Sequence, residues 1–249
     1  MAGAYDPASS TLISIDALLI AHYPFDDNRD RLMDTSGHLQ NLISSSSSPT
    51  FERDCLWAGS GCAVFSSIAN SSGQGNYFIL PFLNLGSLSR VGGFSICMWA
   101  EIEAPESEAH LFDFGLGSSN NNVYLGLLKS NSTNNASSLV LVFFVDNKET
   151  RILSPISITQ GRWFHVCVIN KGDLWQLYED GNLTAQAEAS NYSNIYPVEL
   201  TSNFIGRSNW DKDPLIQGRI AEFRIYNQSL HEVDVITLSA FQGGEMCCF

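Results

Sequence analysis

The residues with the clearest chemical potential are acidic and lie near the start of the chain. Asp26, Asp27, Asn28, Asp30 and Asp34 offer hard oxygen atoms, the donor type that calcium prefers. The order D-x-N-x-D superficially matches an EF-hand, but that loop needs Gly at its sixth position and Glu at its twelfth. Those positions hold Arg31 and Gly37, so the EF-hand is excluded. A second group, Asn209-Trp210-Asp211-Lys212-Asp213, sets an aromatic ring among amide and carboxylate groups. That mixture suits a neutral, hydroxyl-rich ligand: the ring supplies an apolar face and the polar groups fix orientation. The polar stretches Ser118–Asn122 and Asn131–Asn135 have the composition of exposed loops. No Gly-x-Ser-x-Gly nucleophile elbow occurs, and the five His residues are scattered.

The composition narrows the partner class. Charged residues make up 16% and apolar ones 44%, which is enough apolar material for a packed core. The net charge of −13 is the wrong sign for neutralising phosphates, so nucleic acid is excluded as a partner. An anionic membrane surface is disfavoured for the same reason, and no apolar run is long enough to insert into a bilayer. The six cysteines, Cys55, Cys62, Cys97, Cys167, Cys247 and Cys248, include no Cys-x-x-Cys. Disulfides in an oxidising compartment are the better reading, with buried free thiols in the cytosol as the alternative. Cys55 and Cys62 flank the Gly-rich turn Trp57–Gly61, which lets them meet locally. Six Asn-x-Ser/Thr sequons, at Asn70, Asn131, Asn135, Asn182, Asn191 and Asn227, point to a glycoprotein at the cell surface or outside the cell. Thr11–Ile20 is apolar but carries Asp16 and lacks a basic flank, so it is not a signal peptide. The reading is of numbering that starts inside a longer precursor.

The elements that would position these groups are short strands. Runs rich in β-branched and aromatic residues, bounded by Gly, Asn, Ser or Asp, recur at Leu18–Tyr23, Cys62–Ile68, Tyr77–Leu80, Phe94–Ile102 and His110–Phe114. They continue at Val123–Leu128, Leu139–Asp146, Trp163–Asn170, Leu174–Glu179, Asn203–Gly206 and Gly218–Tyr226. The only clear helix signal is Ser229-Leu-His-Glu232, read as a capping box leading into Val233, Ile236 and Leu238. The pattern is all-β: an antiparallel two-sheet sandwich with one short helix near the C-terminus. Residues 1–17 read as a lead-in, 18–240 as one domain, and 241–249 as a tail carrying a Cys pair.

Five segments in order resemble the laminin-G-like and pentraxin jelly rolls of the concanavalin A-like lectin/glucanase superfamily. They are Ala21–Asp26 with Asp34-Thr-Ser-Gly37, Gly93–Trp99, Gly161-Arg-Trp-Phe-His-Val166, Leu177–Gly181, and Ile205–Arg207 with Gly218–Ile220 and Phe223–Tyr226. The resemblance implies a jelly roll and a disulfide between the central strands, at Cys97 and Cys167. Strand alternation allows that pairing, since Cys97 shares a face with Ser95 and Trp99, and Cys167 with Trp163 and His165. It also implies a calcium between the opening turn and the closing strands, with Asp34, Asp26 and Glu222 as ligands. The family's closing strand often reads Ile-Asp-Glu where this chain has Ile220-Ala221-Glu222. Sugar binding on such folds uses loop Asp and Asn groups and a stacked aromatic, which points to Asn209, Trp210, Asp211 and Asp213. Laminarinase-type relatives need E-x-D-x-x-E on one strand; here Glu101 and Glu103 stand two apart without the third carboxylate. The expectation is a non-catalytic extracellular recognition or adhesion module for a glycan or an extracellular protein. A structural building block of a larger assembly, including a homo-oligomer, is the alternative, and a glycan hydrolase comes third.

Overall fold

A computed structural model describes residues 14–26, 30–66, 75–129, 137–145, 148–188 and 199–240. A 3-10 turn, Ile15–Leu18, leads into β1 (Leu19–Tyr23), β2 (Ile43–Ser44), β3 (Thr50–Arg53), β4 (Gly61–Phe65) and β5 (Phe78–Leu80). A short helix α1 (Leu85–Val91) precedes β6 (Phe94–Ile102), β7 (His110–Gly115), β8 (Val123–Lys129), β9 (Ser137–Val145) and β10 (Lys148–Ser157). Then come β11 (Trp163–Lys171), β12 (Leu174–Glu179), β13 (Asn182–Glu188), β14 (Ser202–Ile205), β15 (Gly218–Tyr226) and helix α2 (Glu232–Ser239).

All pairings between these strands are antiparallel and fall into two sheets. The eight-stranded sheet runs β13-β12-β11-β6-β15-β4-β3, with β1 also paired to β15. The seven-stranded sheet runs β10-β9-β8-β7-β14-β5-β2. Alternating residues of both sheets meet in the core, among them Phe94, Ile96, Met98 and Ala100 of β6 against Phe112, Leu125, Leu141 and Phe143 of the other sheet. This two-sheet sandwich is the all-β architecture read from the sequence.

Several strands, among them β6, β7, β8, β11 and β15, lack the usual inward–outward alternation of burial because their outer faces are covered as well. Helix α2 lays Val235 and Leu238 over Cys97, Cys167, Ile169 and Tyr226 on the outside of the eight-stranded sheet. On the outside of the seven-stranded sheet, Tyr124, Val140, Val142 and Phe144 form a separate apolar cluster with Trp210 packed on it.

The helix start differs from the capping box read in the sequence. The cap is His231, whose backbone N–H donates to Asp234 Oδ2 at 3.0 Å. Ser229 is diverted: its hydroxyl donates to the Gly92 carbonyl at 3.0 Å, tying the helix lead-in to the β6 entry. The buried face is accordingly Val235 and Leu238, while Val233 and Ile236 are exposed. The sequence reading also missed helix α1 and the strands β2, β3, β10 and β13. All four strands lie at sheet edges, and β10 carries Pro155, which an edge tolerates.

Candidate functional site

The central feature lies on the outer face of the seven-stranded sheet, where the segment 206–217 between β14 and β15 folds across β7 and β8. It is held from below by Asp113, a fully buried carboxylate on β7. Asp113 Oδ2 accepts from the Asn209 backbone N–H at 2.8 Å and faces His110 Nδ1 at 3.2 Å. Its Oδ1 accepts from Asn122 Nδ2 at 2.8 Å. Asn122 in turn accepts the Asn120 N–H at 2.7 Å, so one carboxylate fixes both the 116–122 loop and the 206–217 segment. The turn after Asn209 is closed by its own side chains. The Trp210 backbone N–H donates to Ser208 Oγ at 3.0 Å, and Ser208 Oγ donates to Asp213 Oδ2 at 2.6 Å.

These bonds set Trp210 edge-on to Tyr124, with centroids 5.7 Å apart and planes at 74°, and 5.6 Å from Phe144. Tyr124 stacks on His110 at 4.0 Å and 13°. A cleft of about 340 Å³ opens beside this aromatic wall. Glu108, Ser119, Glu149, Arg151 and Asp213 form its polar lining. Arg151 is paired to Glu149 on the same strand. Burial pushes the Tyr124 phenol well above its ordinary range; Arg151 opposes the rise, and Glu108, Asp113 and Asp213 add to it.

Two of the four expected ligand residues, Trp210 and Asp213, line this cleft. Asn209 does not reach it. Its amide is spent on Ser202 O at 3.1 Å and its oxygen accepts Ser202 Oγ at 2.6 Å, so it serves as a fastener. Asp211 is exposed and binds Arg207 at 2.7 Å, whose guanidinium lies over Tyr77 and Phe204. The sequence reading missed Glu108, Tyr124, Phe144, Glu149 and Arg151. The signal was present in β9 and β10, where Val142 faces Arg151 and Phe144 faces Glu149 across the pair. Reading it requires knowing that the outer face is partly covered.

The expected calcium ligands, Asp34, Asp26 and Glu222, are each engaged by protein donors. Asp34 is buried and fully used: Oδ1 accepts from His22 N and Ser36 N, both at 2.9 Å, and Oδ2 from Ser36 Oγ at 2.8 Å and Gln40 N at 3.1 Å. Burial alone would raise its pKa, yet these donors hold its carboxyl below the ordinary range. A β-bulge between Ala221 and Arg224, with Glu222 at φ 53°, turns Glu222 toward His22 Nε2 at 2.9 Å and the Arg224 guanidinium. Burial pushes Glu222 up, and the His22 and Arg224 partners pull it below its ordinary value. Asp26 Oδ1 accepts Gly61 N–H at 2.7 Å. Among the described residues the carboxylate oxygens of Asp26, Asp34 and Glu222 do not gather within 4.8 Å of one another. His22 and Arg224 both bond Glu222, which ties β1 to β15. Asp27 and Asn28 lie outside the described residues.

Both disulfides are present. Cys97 and Cys167 stand opposite each other in register with Cα atoms 4.1 Å apart, and Cys55–Cys62 spans 6.0 Å. Asn182 is exposed at the start of β13, whereas Asn227 is half-buried with its Oδ1 enclosed. Asn70, Asn131, Asn135, Asn191, Cys247 and Cys248 lie outside the described residues. Glu101 and Glu103 are held by Arg219 at 3.3 and 2.5 Å, which also binds Glu52. His165 is enclosed against Trp99; burial and the Arg224 charge push its pKa down to about 3, leaving it neutral.

The comparisons agree with this architecture. A family model described as the concanavalin A-like lectin/glucanases superfamily matches residues 72–236. Neuronal pentraxin-1 of Rattus norvegicus, and likewise of Homo sapiens, is 22% identical over 162 residues. That stretch covers 61% of this chain and 35% of those proteins, so the chain spans about a third of the length of the curated relatives it matches. Domain 4 of an extracellular GH43 arabinanase from Geobacillus stearothermophilus, solved with arabinotriose, superposes with a TM-score of 0.63 at 19% identity. The match covers 89% of this chain and 98% of that one. The binding domain of botulinum neurotoxin DC, in complex with rat synaptotagmin II, gives 0.63 at 18% identity, over 91% of this chain and 52% of that one. At these identities the structural likeness speaks for the fold alone, but the family match spans well over half of the sequence and the sandwich it implies is the one observed: the chain belongs to the concanavalin A-like lectin/glucanase superfamily.

Proposed function

We propose that this chain is a non-catalytic extracellular recognition module that binds a glycan in the cleft beside Trp210. The observation that carries the reading is the pairing of an aromatic wall with carboxylates and one guanidinium, with the Trp210 segment braced by the buried Asp113. An apolar ring face beside a few fixed polar groups is the chemistry that recognises a sugar. The arabinotriose bound by a domain of the same fold supports the ligand class, and the disulfides support an oxidising, extracellular setting. The toxin domain bound to synaptotagmin supports an extracellular protein as the second ligand class. A structural role in a larger assembly or homo-oligomer is the remaining reading. The test is a glycan array with the native chain and with Glu149→Ala/Arg151→Ala, which removes an exposed pair at no cost to the core. Binding that the double variant loses, at an unchanged thermal midpoint, supports the reading. Binding equal in both proteins, or none at all, contradicts it.

A further inference from the structure

We infer that the cleft selects saccharides that carry no acidic group, with Glu108 and Asp213 as the residues that impose the selection. The inference rests on the glycan reading and names the ligand class within it. Three carboxylates, Glu108, Glu149 and Asp213, face the cleft against one cation, Arg151. Arg151 is already neutralised by Glu149. The residual charge at the site is therefore negative, and the chain as a whole, at −13, adds to it rather than offsetting it.

The two remaining carboxylates have unused acceptor capacity. Among the described residues no hydrogen bond engages the Glu108 carboxylate, and Asp213 uses Oδ2 on Ser208. Free carboxylate oxygens beside an aromatic wall accept hydroxyl or amine protons from a ligand. The same oxygens repel a carboxylate or sulfate brought to the same place, and a partly closed cleft screens that repulsion less than open solvent does. A sialylated, uronic or sulfated sugar would need a free guanidinium, and the single one present is occupied. Neutral sugars and amino sugars meet no such obstacle. Glu108 and Ser119 sit at φ 65° and 57°, so the rim that aims these groups is fixed in backbone positions unusual for side-chain-bearing residues.

The experiment is a direct binding titration with matched pairs of oligosaccharides that differ only in a terminal carboxylate or sulfate. The native chain is compared with Glu108→Gln/Asp213→Asn. The expected result is binding of the neutral member at least ~10-fold tighter than the acidic one. In the double variant that gap shrinks to about threefold or less, with the thermal midpoint preserved. Acidic sugars that bind as well as or better than neutral ones, with binding lost in Arg151→Ala, would overturn the inference while leaving the cleft as the glycan site. So would a gap that the double variant leaves unchanged. Failure of both members of every pair to bind would overturn the glycan reading itself, and the inference with it.

Discussion

Replacing Asp113 with Ala tests how the cleft is built. The carboxylate lies beneath the site with no exposed surface, and three groups converge on it: the Asn209 N–H, Asn122 Nδ2 and His110 Nδ1. The other ring nitrogen of His110, Nε2, is itself enclosed without a partner, so moving the ring proton there gains no hydrogen bond. The Asn122 amide and the Asn209 N–H likewise lose their acceptor, and each donor left unsatisfied in a buried place costs about 1–3 kcal/mol. The expected cost of Asp113→Ala is therefore about 3–5 kcal/mol, and of Asp113→Asn, which keeps one acceptor, about 1–2 kcal/mol. Urea unfolding gives the numbers, with an unchanged slope showing that the midpoint shift reports stability. Because Asn209 leads directly into Trp210, Asp113→Asn also weakens any ligand held in the cleft, even where the protein stays folded. A change under about 0.5 kcal/mol for Asp113→Ala would refute the argument, since it would mean that water or a shifted loop satisfies those donors without cost.

Three further outcomes follow from the same geometry. Removing the Cys97–Cys167 bond as a double Ala variant should lower stability by about 4 kcal/mol in the chain-entropy account, given the separation of 70 residues, as read by denaturant unfolding. Asp34 and Glu222 both have carboxyls held below their ordinary range, so the stability they contribute is complete above the ordinary carboxylate range and is lost as pH falls toward their folded values. Glu222→Gln should cost about 1.5–3 kcal/mol at neutral pH and progressively less in acid, a convergence visible in melts across pH. Calcium and chelator should give equal melting midpoints, because the Asp34 oxygens are filled by four protein donors; a rise in calcium would restore the metal reading of the opening turn.

The sandwich was legible because its core strands announce themselves. The ends of β6, β12 and β15 coincide with those read from alternation and bounding polar residues. The edge strands β10 and β13 were not legible, since a strand with one hydrogen-bonded side and one covered face carries few of the apolar positions on which the pattern depends. Helix α2 was found but its cap was misplaced. Ser229 has the right side chain for a cap, and only the neighbouring Gly92 carbonyl shows why it is used elsewhere. The site was half-legible for a related reason. Trp210 and Asp213 lie together in one polar segment, whereas Tyr124, Phe144 and Arg151 come from three strands and become neighbours only through sheet register. The backbone amides of Ser36 and Gln40, which engage the Asp34 oxygens in the opening turn, leave no mark in the side-chain sequence.

The central claim is that a saccharide binds beside Trp210 on the outer face of the seven-stranded sheet. A crystal structure of the chain with an oligosaccharide selected on the array tests it most directly. The account predicts a sugar ring in van der Waals contact with Trp210, with hydroxyls bonded to Glu108, Arg151 or Asp213. A ligand seated on the eight-stranded sheet, or at the Arg219 cluster with Glu101 and Glu103, would contradict it.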